Sequence, residues 1–216
     1  MLFIAQSGFA SLDAAAPTPL PDSPVLSRYL LESPWLTVVA VVAISLILFA
    51  FWTTRQAVRP ARIAAVMGAL LACGVVLMGI FVQTPAEVMK ARTMQLVRLT
   101  AAGDVQGVEG ILTADAVLRL SSDSEAEPLH RILSRVQTQF SKGGMYEIKD
   151  HRVVELQACE TGSRTGRVQV KVSTTPQVAP FPVPSWWRLD FEQLADGTWA
   201  VGGIELISVG GGVSIR

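Results

Sequence analysis

The chain has 216 residues and no net charge, because 18 lysines and arginines balance 18 aspartates and glutamates. No basic or acidic block interrupts it, which argues against nucleic-acid binding and against electrostatic adhesion to lipid headgroups. Its two cysteines lie in different environments, Cys73 within an apolar run and Cys159 in the soluble part of the chain. They are therefore not expected to form an intrachain disulfide or to contribute to a zinc cluster.

Residues 1–33 form an Ala/Pro-rich tail that includes Pro17, Pro19, Pro21 and Pro24. The tail lacks the basic start and the long apolar segment of a cleaved signal peptide. We expect it to be extended and exposed, with no regular structure.

Two uncharged apolar runs follow, at residues 35–52 and 63–82. As a helix, each is long enough to cross about 30 Å of hydrocarbon. The short segment between them can join only two antiparallel helices, so the sequence predicts a transmembrane helical hairpin at residues 34–83. The alternative is a buried hairpin of a large soluble protein, but the remaining chain is too small to cover two uncharged helices.

The orientation of this hairpin is predicted from Arg55, Arg59 and Arg62, which lie between the two runs. Positive residues in short loops stay on the cytoplasmic side. Both chain termini then lie on the opposite side, so the sequence predicts a two-pass protein of the bacterial inner membrane with a periplasmic soluble domain.

Small residues recur at helical spacing in the second run, at Ala61, Ala65, Gly68 and Ala72. Such a stripe lets another helix approach closely. We expect the partner to be the first helix of the same chain, with a second copy or another subunit as the alternative.

Residues 84–216 are predicted to form one soluble domain that begins with helices. Thr84, Pro85 and Glu87 make a helix start, and the helix should run over 85–102 until Gly103 ends it. Asp104 can cap a second helix to about residue 112, and residues 116–120 are interpreted as a short strand. Apolar residues at helical spacing then predict a third helix; they are Leu129, Ile132, Leu133, Val136 and Phe140.

Beyond residue 144 the apolar pattern changes to the alternation of antiparallel strands. The side chains expected to share inner faces are Tyr146, Ile148, Val154 and Leu156; Val168, Val170 and Val172; and Trp187, Leu189 and Phe191. Asp196 and Gly197 predict a tight hairpin turn, and Gly202 and Gly203 predict a bulge. Four prolines predict a stiff loop at 176–184 that cannot join a sheet ladder.

Three helices followed by long strands predict an α+β domain with the helices packed against one curved antiparallel sheet. Over residues 85–209 the chain resembles the nuclear transport factor 2-like superfamily, whose cone-shaped domain is built in this order. The resemblance is carried by Ala101-Ala102-Gly103-Asp104, the 129–140 helix, Trp187-Arg188-Leu189-Asp190-Phe191 and Asp196-Gly197-Thr198-Trp199. The superfamily contains isomerases, hydrolases, ligand binders and membrane-anchored subunits, so the resemblance implies a fold and not a reaction.

The resemblance also implies where catalysis would occur, because ketosteroid isomerases of this superfamily hold a carboxylate base in an apolar pocket. Asp150 and Arg152, with Tyr146 nearby, are the candidates, since they share a predicted strand face with Ile148 and Leu156. The alternative is that a bulge turns the pair outward. His130 and His151 have no metal-ligand spacing, and we expect no metal and no cofactor.

The absence of a catalytic motif favours a non-catalytic, membrane-anchored envelope protein whose soluble domain binds a protein partner or a small apolar ligand. The alternatives are an isomerase- or hydrolase-type enzyme that uses Asp150, and a structural subunit of a larger membrane complex. The partners expected are the lipid bilayer, an envelope or membrane protein and a second copy of the chain, but not nucleic acid.

Phe181 and Trp186 are the candidate partner-binding residues. Phe181 lies in the proline-rich loop, which is stiff and therefore costs little entropy to order. Strand alternation places Trp186 on the outer face of the sheet if Trp187 points inward. The alternative is that both rings fold back to cover the sheet.

Overall fold

A computed structural model describes residues 16–21, 34–54, 58–81, 83–120, 124–144, 146–178 and 181–210. It divides into two compact units, one of residues Asp22–Pro85 and the other of Met1–Pro21 together with Ala86–Arg216. The first unit is built from two helices, and the second from helices and a six-stranded sheet.

The helical unit consists of α1, Pro34–Thr54, and α2, Val58–Phe81. The two helices pack closely at Gly68, where an added Cβ would lie 2.1 Å from the Ser45 Oγ. This contact confirms α1 as a partner of the predicted small-residue stripe, although Ala65 of that stripe is exposed. Within the described residues, no helix is both long enough and apolar enough to span a membrane.

The connection between the two helices is shorter than predicted. Helical structure continues to Thr54 and resumes at Val58, so Arg59 and Arg62 belong to the first turns of α2. Arg55 lies outside the described residues. The expected loop at 53–62 is therefore largely helical.

The second unit begins with α3, Pro85–Ala102, which has the predicted bounds. It ends at Gly103, whose φ of 68° lies in the left-handed region that favours glycine. Asp104 then caps α4, Val105–Glu109, by accepting a hydrogen bond from the Gly107 backbone N–H at 2.9 Å. The α4 helix is shorter than predicted, because the residues that follow Gly110 enter the sheet.

The sheet contains β1 Leu112–Arg119, β2 Glu127–Pro128, β3 Ile148–Glu160, β4 Thr165–Pro176, β5 Val183–Gln193 and β6 Trp199–Val209, in the order β2-β1-β6-β5-β4-β3. The strand predicted at 116–120 thus begins earlier. The sheet is mixed rather than wholly antiparallel, because β1 and β6 run parallel. The third predicted helix forms as α5, Leu129–Arg135, and continues as a π-helical turn, Val136–Phe140.

The proline-rich loop is also shorter than predicted. Pro176 lies opposite Ile148, and Pro184 lies opposite Ser173, so both prolines take part in strand pairing. Proline lacks an N–H, but its carbonyl oxygen can still accept a hydrogen bond. The Pro184 oxygen accepts one from the Gly210 N–H at 2.6 Å.

The core lies between the helices and one face of the sheet. Its buried members include Met89, Leu96, Ile132, Val136, Val168, Val170, Leu189 and Phe191. Leu194 and Thr198 close the predicted turn, in which Gly197 has a φ of 86°. Gly202 is the extra residue of the predicted bulge, since Asp190 pairs with Gly203 and Phe191 pairs with Val201.

Two glycines near α4 should respond oppositely to alanine. Gly103→Ala should destabilise the fold by about 1–3 kcal/mol, because its φ is positive and the new Cβ would lie 2.6 Å from the Ser141 Cα. Gly110→Ala is the matched control: with φ of −68° and no heavy atom nearer than 3.6 Å, it should stabilise by about 0.4–1 kcal/mol. Urea unfolding followed by tryptophan fluorescence measures both changes, and equal effects would contradict this account of the turn.

Candidate functional site

A cavity of about 220 Å³ lies between the helices and the inner face of the sheet. Most of its wall is apolar. The wall residues are Leu96, Val97, Thr100 and Ala101 of α3; Val108; Leu118; Ile132, Arg135, Val136 and Phe140; Ile148 and His151 of β3; Val170, Val172 and Thr174 of β4; Ser185, Trp187 and Leu189 of β5; and Ile204. A concave, mostly apolar space with a few polar groups is typical of a small-molecule site.

Two polar groups of the wall satisfy each other. The Trp187 Nε1–H donates to the Ser185 Oγ at 2.8 Å, and the Ser185 hydroxyl donates to the Val172 carbonyl oxygen at 3.3 Å. A buried polar atom without a partner costs about 1–3 kcal/mol. Because this chain of hydrogen bonds is complete within the protein, the wall does not require a polar ligand to satisfy it.

Arg135 brings a positive charge to the wall, but an ion pair matches that charge. Its Nε and Nη2 donate to the two carboxylate oxygens of Glu127 at 2.7 and 2.5 Å. The hydrogen bond from Arg135 lowers the pKa of Glu127, and the same bond raises the pKa of Arg135. The pair joins β2 to the end of α5, so it also supports the helical side of the cavity.

Asp150 and Arg152 do not line the cavity. Both are exposed, as is Tyr146, so the expectation that an acid and a base share the inner face is wrong. The cause is two irregularities in the pairing of β3 with β4, between residues 148 and 150 and between 153 and 155. Each inserts a residue that reverses the alternation, as the outward-bulge alternative required.

His151 occupies the position that Asp150 was expected to fill. It is half-buried and lines the cavity with Ile148, although strict alternation placed it on the side of Lys149. One signal could have found it: Val153 and Val154 are adjacent, and two neighbouring valines cannot both face the core of a regular strand. His130, by contrast, is exposed on α5.

Phe181 and Trp186 do not form a shared surface. Phe181 is 48% exposed, whereas Trp186 is only 3% exposed. Trp186 does lie on the outer face, as predicted, and the Lys171 Nζ lies 5.8 Å from the centroid of its ring. Of the two candidate partner-binding residues, only Phe181 is therefore accessible to a partner.

Other reactive side chains of the described residues do not converge. No group of three histidines, cysteines, aspartates or glutamates among them is placed to hold a metal ion. Cys159 is buried, and burial raises the pKa of its thiol. A thiol with a raised pKa is a poor nucleophile near neutral pH.

No protein-family model matches the chain, and no curated protein matches its sequence. Solved structures do resemble it. An NTF2-like protein from Cytophaga hutchinsonii has 14% sequence identity and a TM-score of 0.49, over 58% of this chain and 99% of that one. A ketosteroid isomerase-like protein from Erwinia carotovora atroseptica has 13% identity and a TM-score of 0.46, over 59% of this chain and 98% of that one.

A third similar structure is an NTF2-like protein of unknown function in nutrient uptake from Rhodospirillum rubrum, with 13% identity and a TM-score of 0.45 over 53% of this chain and 93% of that one. Such identities and TM-scores carry neither a reaction nor a substrate from those proteins to this chain. The helices and six-stranded sheet described above are consistent with the nuclear transport factor 2-like fold that the sequence resembles.

The ion pair at the cavity wall predicts a pH-dependent stability. Because the folded-state pKa of Glu127 is lowered from 4.5, its contribution is fully present above that value and is lost as the pH falls through the folded-state pKa. Glu127→Gln should therefore destabilise the domain at pH 7 and have a smaller effect as the pH is lowered toward about 3. Denaturant midpoints across this range measure the difference.

Arg135→Gln supplies the control for this prediction. In that background Glu127 lacks its hydrogen-bonded partner and keeps only the weaker influence of Arg131 on its pKa, so the pH-dependent effect of Glu127→Gln should be much smaller. A pH dependence that persisted undiminished without Arg135 would show that another group sets the titration of Glu127.

Proposed function

We propose that the domain of residues 84–216 is a non-catalytic binding module whose cavity takes one small, neutral and largely apolar ligand. The observation that carries this proposal is the chemistry of the wall. None of the described wall residues is a carboxylate, and the ionisable ones are Arg135, whose charge Glu127 matches, and His151. Such a wall attracts neither a cation nor a strongly charged anion.

The polar groups of the wall also favour a ligand of low polarity. Ser185 and Trp187 already satisfy each other, so an apolar molecule can cover them without breaking a hydrogen bond. Thr174 and His151 can each offer one hydrogen bond, which is enough to orient a single carbonyl or hydroxyl group. The remaining contacts would come from aliphatic side chains and from the Trp187 ring.

The geometry does not favour the alternative of an isomerase or hydrolase that uses Asp150. Proton abstraction requires the base within hydrogen-bond reach of its substrate. Asp150 is exposed and is absent from the cavity wall, so a ligand in the cavity would not meet it. Binding is therefore ranked above this chemistry.

We propose further that residues 34–83 anchor the domain in a bacterial inner membrane. The support comes from the uncharged runs of the sequence and from the apolar side chains that α1 and α2 expose, including Val39, Ile44, Leu46, Ile47, Ile63, Leu70 and Leu71. Side chains of this kind on most sides of a helix pair suit a lipid environment. A larger apolar partner protein is the alternative cover, as in a structural subunit of a membrane complex.

The tail supports a two-pass topology. The Leu20 backbone N–H donates to the Gln157 Oε1 at 3.4 Å, so residues before and after the helices meet in one compact unit. This contact requires the tail and the domain to lie on the same side of any membrane, which an even number of crossings provides. The arginines between the helices favour the periplasm as that side.

A protein partner is the second candidate for binding, and the loop around Phe181 favours it. Phe181, Val178 and Tyr146 are exposed, and the Gln177 N–H, next to Val178, donates to the carbonyl oxygen of Glu147, next to Tyr146, at 2.8 Å. Three exposed apolar side chains at one end of the sheet suit a contact with an envelope protein or a second copy.

Two adjacent alanines of α3 test the cavity proposal. Ala101 lines the cavity, whereas Ala102 is exposed beside it. Ala101→Phe should fill part of the cavity and weaken binding of the neutral apolar dye N-phenyl-1-naphthylamine by at least about tenfold, which corresponds to about 1.4 kcal/mol. Fluorescence titration of the dye measures this change.

Ala102→Phe is the matched control, and it should alter the dissociation constant by less than about twofold. This control matters because the exposed side chains of α1 and α2 also offer apolar surface to a dye. Equal weakening by both substitutions, or by neither, would show that the dye does not bind in the cavity.

Reporter fusions test the topology. Alkaline phosphatase fused after Arg216 should be active in a bacterial host, because the enzyme folds outside the cytoplasm and the domain is proposed to be periplasmic. The same reporter inserted after Gln56, between the helices, should be inactive. The reverse pattern would invert the topology, and activity at neither or both positions would contradict a two-pass anchor.

A further inference from the structure

Part of the outer face of the sheet, opposite the cavity, is buried, although its residues are polar or flank charged side chains. Two rows of paired residues cross it: Gln157, Gln169, Arg188 and Glu205; and Glu155, Lys171, Trp186 and Ser208. Relative exposures are 6% for Gln169, 9% for Lys171, 3% for Trp186 and 3% for Ser208. A sheet face open to water would leave such large polar side chains accessible, so part of the chain covers it.

The tail is the described segment that contacts this face. Leu20 donates its backbone N–H to Gln157, the first residue of one row. Pro17 and Leu20 are half-buried, whereas Ala16, Thr18, Pro19 and Pro21 are exposed. A spacing of three matches the polyproline II helix, in which every third residue lies on the same side. One side of residues 16–21 therefore rests on the sheet.

The charges of the face are matched within it. Arg188 forms an ion pair with Glu205, and the Lys171 Nζ lies 3.8 Å from a carboxylate oxygen of Glu155. Residues 14–21 contain no charged side chain. A neutral segment can therefore cover the face without leaving a buried charge unpaired.

The face also has two buried hydrogen-bond donors that residues 16–21 leave unsatisfied, so a partner segment could bond to them where the tail does not. Among the residues that the structure describes, neither the Trp186 Nε1–H nor the Arg188 Nε–H has an acceptor, and both atoms are buried. The backbone of a polyproline II segment makes no internal hydrogen bonds, so all its carbonyl oxygens are free to accept. A tryptophan beside such a segment is a common arrangement for recognising proline-rich chains.

We propose that the outer face of the sheet is a docking surface for an extended, neutral, proline-rich segment, and that residues 16–21 of the same chain are its occupant. The tail is thus a strap that shields Trp186 and its neighbours from other partners. This site is separate from the cavity and does not depend on what the cavity binds.

Cys159 provides a native probe of the strap. It lies on the outer face two residues beyond Gln157, it pairs with Arg167, and it is 3% exposed. In the full chain carrying Cys73→Ser, Leu20→Asp should release the strap, because it places a charge at a half-buried position. The rate of Cys159 labelling by a polar maleimide should then rise by at least about tenfold.

Thr18→Asp adds the same charge at an exposed position of the strap and should change the labelling rate by less than about twofold. A synthetic peptide of residues 14–21, Ala-Ala-Ala-Pro-Thr-Pro-Leu-Pro, should slow labelling of the Leu20→Asp chain at millimolar concentration, and the same peptide with aspartate in place of its leucine should not.

Equal labelling of the two aspartate variants would overturn the proposal. An increase in the Leu20→Asp chain that the native peptide does not reverse would overturn it as well, because the thiol would then be exposed by general loosening of the fold. Peptide-dependent protection would show that the face recognises the segment itself.

Discussion

The central strands β4 and β5 are buried on both faces, and this constraint shapes the rest of the domain. Val170 and Leu189 face the core. Lys171 and Trp186, which pair with each other, are buried on the opposite face of the sheet. Strands buried on both faces need two covers. Helices α3 and α5 supply the inner cover, and the cavity is the space that they leave unfilled. The strap is proposed as part of the outer cover, so the two faces of a single sheet differ in chemistry, one apolar and one polar.

The edge strand β3 decides what the cavity contains. Its two irregularities against β4 turn His151 inward and leave Asp150 outside. A shift of one residue exchanges every side chain between the two faces of a strand. Had β3 been regular, a carboxylate would have entered an apolar space and a proton-transfer role would have been credible. The irregularities of this edge strand thus decide whether a carboxylate or an imidazole lines the cavity.

Sequence reasoning succeeded where the signal is local. The cap at Asp104, the turn at Gly197, the bulge at Gly202 and the alternation of Val168, Val170 and Val172 depend on residues close in the chain. It failed where a structural feature depends on contacts between residues that are distant in the sequence. The parallel pairing of β1 with β6, the register of β3 and the burial of Trp186 each depend on residues far along the sequence, and no local pattern encodes them. The adjacent valines at 153 and 154 are the exception, since they signalled a break that strict alternation ignored.

The strap is proposed to cover the outer face through a weak contact. Its described contact is modest, with one long hydrogen bond and two half-buried side chains, so the free energy that holds it is small. It is nevertheless tethered to the domain through the helical unit, and a tethered segment experiences an effective concentration on the order of millimolar. If the hairpin crosses the membrane twice, as proposed, it returns the chain to the side on which the tail lies. A weak contact of this kind keeps the strap bound when no partner is present. A partner segment that binds the same face more tightly can still displace the strap, because it competes only against the strap's effective concentration.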